Sequence, residues 1–202
     1  SKFIKPDVFT SVKNHYQEYF KVYDTIFTHN QELLELDSRF KWCPAQGFWI
    51  RDPKIYEKTK MISMIASNKQ MTAGQKLRLK WAEMIGDQVD LYGRGFNEIS
   101  LKEEGLCDYM FSVVIENGFY NSYFTEKILD CFATGTIPVY LGSPDIEKYF
   151  NVDGIIRLTE EFDVSEEIYY TKMDAIKDNL ERAKQYEVLE DFLYLNYFKG
   201  VE

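Results

Sequence analysis

The sequence is poor in the residues that build metal centres and covalent frameworks. Its 202 residues include three cysteines and two histidines. Cys43, Cys107 and Cys131 are odd in number and far apart, which argues against a disulfide framework and leaves no Cys-x-x-Cys pair for zinc. His15 and His29 have no partner at ligand spacing, and no Asp-x-Asp occurs, so no metal is expected. No apolar run is long enough to span a bilayer. Gly-x-Ser-x-Gly and the P-loop are absent, and Gly93-Arg94-Gly95 has the wrong spacing for a dinucleotide fingerprint; it reads as a tight turn. Basic residues are in deficit. The net charge of −9 argues against nucleic acid or an anionic membrane as a general partner, while leaving room for a local basic pocket.

What the chain has is apolar and aromatic mass, 45% hydrophobic with 15 Tyr and 15 Phe, enough for a sizeable core. Pro6 closes any strand over residues 1–5, and residues 8–20 suit an amphipathic helix. Residues 22–28 are strand-like. Asn30 is placed to cap a helix over residues 31–40, and residues 41–50 read as a short strand with irregular ends. Arg51-Asp52-Pro53 is a turn, which divides the chain into 1–52 and 53–202. From residue 60 to 158 strands alternate with helices: strands at 60–67, 89–92, 111–115, 137–141 and 155–158, and helices at 75–85, 126–134 and 145–150. A long helix over 165–186 and a last one over 188–198 follow. That alternation implies an α/β, Rossmann-like, mostly parallel sheet with right-handed crossovers.

The chemistry concentrates in Tyr109–Gly142. A short apolar run ends at Glu116-Asn117-Gly118, a polar aromatic loop follows, and Thr125-Glu126-Lys127 opens a helix. In open parallel sheets ligands sit beyond the carboxyl ends of the strands, and a helix N-terminus beside a lysine favours an anion. Ser67, Asn68, Lys76 and Arg78 repeat the arrangement one strand away, with Arg able to grip phosphate oxygens bidentately. From spacing alone these residues fit either a diphosphate site or solvated caps and an exposed basic helix face.

The stretch ENGFYNSYFTEKILDCFATGTIPVYLGSP resembles the donor-binding signature of the α1,3/1,4-fucosyltransferases, glycosyltransferase family 10. Glu116-Asn117, Tyr123, Thr125-Glu126-Lys127, Thr136, Pro138 and Gly142 fall in step with it. VDLYGRG, Ser67-Asn68 with its basic helix, and YDTIFTHN with PAQGFWI extend the likeness more weakly over most of residues 20–160.

The resemblance implies a GT-B architecture, two Rossmann-like lobes, with the C-terminal one holding GDP-fucose. It implies transfer of fucose with inversion to a hydroxyl of an N-acetylglucosamine or glucose unit of a glycan. Arg78 and Lys127 would hold the diphosphate, with Lys76 as the alternative to Arg78. Asn117 and Tyr123 would contact the nucleotide-sugar, Ser67, Asn68 and Tyr92 would complete the donor site, and Glu126 would face the fucose as the catalytic carboxylate. No cofactor is required.

A whole N-terminal lobe is much longer than residues 1–52, so the N-terminal, acceptor-binding lobe is expected to be incomplete. No carboxylate matches the family's general base, and none is assigned. The competing expectations are a glycosyltransferase of the same fold using another nucleotide-sugar, and a catalytically silent nucleotide-sugar-binding module. The location expected is cytoplasmic for a bacterial or viral protein, and the Golgi membrane if an anchor precedes Ser1.

Overall fold

The computed structural model describes residues 6–200; any strand before Pro6 lies outside them. The chain opens with α1 (Pro6–Tyr19), kinked at His15, then β1 (Ile26–Thr28), α2 (Gln31–Leu36) and β2 (Phe40–Trp42). The two strands pair in parallel as a small separate sheet. Asn30 caps α2 as expected, its side chain accepting the Leu33 N–H at 3.0 Å. The helix is shorter than the expected 31–40. Asp37 accepts the Arg39 N–H and pairs with its guanidinium, a local turn that competes with helix. Phe40 then enters β2 and packs on Phe20 and Tyr16.

The main sheet has five strands, β3 (Lys60–Ile65), β4 (Asp90–Tyr92), β5 (Tyr109–Ile115), β6 (Ile137–Leu141) and β7 (Ile156–Arg157). All neighbours are parallel, in the order β4-β3-β5-β6-β7. The chain leaves β3 for β4 on one side and returns to place β5 on the other. Their carboxyl ends therefore form a topological switch point, where parallel sheets bind ligands. Every residue of β5 is buried, as a central strand covered on both faces requires. Phe111, Val113 and Ile115 face one core, with Trp81 and Ile85 of α3 (Ala73–Ile85). Val114 faces the other, with Ile128, Leu129 and Phe132 of α4 (Glu126–Thr134).

One expected helix is broken and two others take a different form. Residues 165–186 form α5 (Glu166–Thr171) and α6 (Met173–Lys184), separated at Lys172. The halves serve different anchors: Tyr169 bonds the Gly135 carbonyl and Asn179 bonds residue 151. The last helix is α7 (Leu189–Leu193) continued by a π turn, Tyr194–Phe198. Residues 145–150 form only a 3-10 turn, Ile146–Lys148. No helix among the described residues is long and apolar enough to cross a membrane.

The N-terminal segment is docked on the sheet lobe. Trp42 stacks on Tyr149 and packs edge-on against Phe192, its Nε1 donates to the Ser122 carbonyl, and its own carbonyl accepts the Tyr197 hydroxyl. Helix α3 approaches the end of β5 without clearance. A Cβ on Gly74 would stand 2.0 Å from the Glu116 carbonyl oxygen and 2.7 Å from Asn117 Cα. Gly74→Ala is therefore expected to lower the unfolding free energy by about 1–3 kcal/mol through overpacking. Urea denaturation measures this, and an unchanged midpoint would show that α3 does not abut the strand.

Candidate functional site

Glu116, the first residue after β5, is fully buried. One carboxylate oxygen accepts the Thr125 N–H at 3.0 Å, the other accepts the Thr125 hydroxyl at 2.8 Å, and Lys127 Nζ stands 3.6 Å from the latter. It is thus no solvated cap residue. It ties the end of β5 to the start of α4. Space for it exists because position 142 has no side chain: a Cβ there would meet Glu116 Cγ at 2.7 Å and the Tyr140 hydroxyl at 2.1 Å.

Thr125 caps α4, with its hydroxyl also 2.9 Å from Lys127 Nζ. The Glu126 and Ile128 N–H groups make no hydrogen bond within the described residues. They are among the orphan donors of a helix start. Glu126 pairs with Lys127 at 3.2 Å. Burial opposes its ionisation, but the charges of Lys127 and Lys102 prevail and hold its carboxyl below the ordinary range. The site therefore carries an anionic carboxylate and a cation side by side.

Arg78 is not on an exposed basic face. It is 6% exposed, with Nε and Nη2 bonded to the Ile115 carbonyl and Nη2 also to Asn117 Oδ1 at 3.0 Å. Burial lowers its pKa, and the carboxylates of Glu116 and Glu126 partly offset that by their charges. Tyr123 is buried beside His29, with ring centroids 4.8 Å apart. Burial first, then Glu116 and Glu126, hold its phenol protonated. Arg78, Asn117, Tyr123, Glu126 and Lys127 are thus brought together at the switch point. Ser67, half-buried, and Asn68, exposed, follow β3 at the same edge, and Lys76 is exposed on the first turns of α3. Tyr92 is not brought in. Its phenol lies 2.7 Å from that of Tyr109, at the opposite edge of the sheet, where Tyr109 donates to Asp90.

Three contributors escape a reading of spacing. Asp145 accepts the Ser122 N–H at 2.6 Å and the Ser143 hydroxyl at 2.7 Å, holding Ser122 at φ 61° and fixing the loop that carries Tyr123. Lys102 and Asp130 line a recess together with Arg78 and Lys127. Asp130 Oδ1 accepts the Trp49 N–H at 2.6 Å. Its Oδ2 is buried with no hydrogen-bond partner, and Lys102 Nζ stands 3.5 Å from it. Only the helical spacing of Asp130 from Glu126 hinted at its place. Among the described residues no three His, Cys, Asp or Glu side chains converge on a metal position.

The family model described as "Glycosyltransferase family 10 (fucosyltransferase) C-term" matches residues 55–197, well over half of the chain. The chain belongs to glycosyltransferase family 10. An α-(1,3)-fucosyltransferase of Helicobacter pylori is 37% identical over 78 residues, 39% of this chain and 16% of that protein. The 4-galactosyl-N-acetylglucosaminide 3-α-L-fucosyltransferase 9 of Cricetulus griseus is 27% identical over 158 residues, 73% of this chain and 39% of that protein. The chain thus spans well under half the length of these relatives. A solved α1,3-fucosyltransferase with GDP shares the fold, with TM-score 0.54 over 89% of this chain and 69% of that one at 18% identity. The family signature read at residues 116–142 spans the strand end, loop and helix start that carry the cluster.

Asp130 offers a check on this geometry. Burial raises its pKa from 3.8 to about 6 against the pull of Lys102 and the Trp49 N–H. The folded chain therefore holds that proton more tightly than the unfolded one. The stability this contributes is complete below pH 3.8 and is lost as pH rises through about 6. The stability of the native protein minus that of Asp130→Asn should fall across this window in denaturation series. A flat difference would show the carboxylate to be solvated.

Proposed function

We propose that the cluster at the carboxyl ends of β3 and β5 holds the diphosphate of GDP-fucose, and that the chain carries the donor half of a fucosyltransferase. The observation that supports this most is the convergence of Lys127, Arg78 and the free N–H groups of α4 at the switch point of the sheet. Kinship with family 10, and the GDP in a solved α1,3-fucosyltransferase of this fold, point to guanine nucleotides.

In this reading Lys127 and the first turn of α4 receive the β-phosphate. Arg78 has two nitrogens committed to Ile115 and Asn117, so it contributes its charge and its remaining Nη1 edge while fixing Asn117. Tyr123 lies against the nucleotide-sugar, with Ser67, Asn68 and Lys76 at the rim. Tyr92 has no part in it. As the bond from fucose C1 to the phosphate oxygen breaks, its electron pair moves to that oxygen, and cations fixed there stabilise the transition state more than the ground state. The sugar gains positive charge, which the ionised Glu126 offsets. The acceptor hydroxyl of an N-acetylglucosamine or glucose unit attacks from the opposite face, giving inversion. The base that takes its proton is not among the assigned residues. Side chains supply the positive charge, so the scheme uses no metal.

Calorimetric titration with GDP, GDP-fucose, GDP-mannose and UDP-sugars tests the reading. The guanine nucleotides should bind, and Lys127→Ala should weaken GDP by about 1.5–3 kcal/mol, the worth of a charge-assisted contact. Preference for a UDP-sugar, or GDP affinity indifferent to Lys127, would overturn it.

A further inference from the structure

One aromatic ring beside the cluster is displayed to solvent by a backbone anchored on both sides. Trp49 is 62% exposed, while Phe48 and Ile50 on either side of it are 8% and 3% exposed and belong to the α4 core. Its N–H is bonded to Asp130, and the Arg51 N–H is bonded to Glu103. Asp130 lies one turn of α4 after Glu126 on the same face of the helix. Lys102 Nζ sits 5.7 Å from the centroid of the Trp49 ring, and its charge acts on both Glu126 and Asp130.

We infer that Trp49 is a stacking platform for a pyranose ring of the acceptor, a subsite built on the donor lobe itself. This rests on the donor reading of Glu126 and Lys127. The face of an indole carries negative charge density, and the axial C–H groups of a pyranose carry the complementary positive edge. A sugar also needs polar groups around that apolar floor for its hydroxyls, and Lys102 and Glu126 supply them. The platform is already rigid, so binding does not have to order it. A protein surface closing over the ring would instead strip water from Lys102 and Glu126, which is costly for charges.

The test follows tryptophan emission and calorimetry on the whole chain saturated with GDP, with N-acetyllactosamine as the probe. The disaccharide should shift the emission to the blue. Trp49→Ala should abolish that shift and weaken the disaccharide roughly tenfold, the scale of one stacking contact. Trp49→Phe should fall between the two, and GDP affinity should be unchanged in both variants. Equal disaccharide affinity in the native protein and Trp49→Ala would overturn the platform, and so would no disaccharide binding by a chain that binds GDP normally. A blue shift that grows with protein concentration without sugar, and is lost in Trp49→Ala, would assign the ring to a second copy and overturn it too. Failure of the native chain to bind GDP is a separate result, which removes the donor reading on which the platform rests.

Discussion

Helix α4 is held between two buried charges of opposite sign. At its N-terminus Glu116 receives the Thr125 N–H and hydroxyl. At its C-terminus the Lys58 ammonium donates to the carbonyls of Thr134, Cys107 and Leu106 and to the Thr136 hydroxyl. Each sign matches the helix end it faces. Each charge would be costly to bury unpaired, and each is satisfied only if α4 sits where it does. Burial lowers the Lys58 pKa to about 8, the cost of taking the ammonium out of water. Lys54 and Tyr56 add backbone N–H bonds to the carbonyls of Ala133 and Thr134. The position of Lys127 at the switch point is thus set by groups that no ligand need touch.

The same constraint shapes the neighbours. A side chain at position 142 would occupy the space of Glu116, and one at position 74 would push α3 and Arg78 away from the strand end. Arg78 bonds the last carbonyl of β5, so its cation is fixed by the strand whose end carries Asn117. Asp145 holds the intervening loop from β6's side of the sheet. The side chains at the switch point are therefore held by contacts within the fold itself, the preorganisation that the proposed diphosphate reading requires.

The sheet region was legible because β5 and β6 are apolar runs, broken only by Ser112 in β5, and are bounded by Gly118, Gly135 and Gly142. The family signature singled out Asn117, Tyr123, Glu126 and Lys127, which the fold brings together at the end of β5. What stayed hidden was long-range. By spacing alone Arg78 reads as one more base on a basic helix; the resemblance singles it out, but not its burial or its partner, a carbonyl 37 positions away. Lys58 looks like a linker lysine, and its acceptors lie 48 to 78 positions on. Tyr92 sits at the expected strand end, but its long side chain turns back along the sheet to Tyr109. Helix ends failed where local bonds or separate anchors compete, as at Asp37 and Lys172.

The central claim is that a nucleoside diphosphate lands on the first turn of α4, opposite the end of β5. Amide hydrogen exchange with and without GDP tests it most directly, because the Glu126 and Ile128 N–H groups have no partner in the described structure. The account predicts that GDP slows exchange over residues 117–128. Protection confined to other segments, with residues 126–128 exchanging as fast as in the free chain, would contradict it.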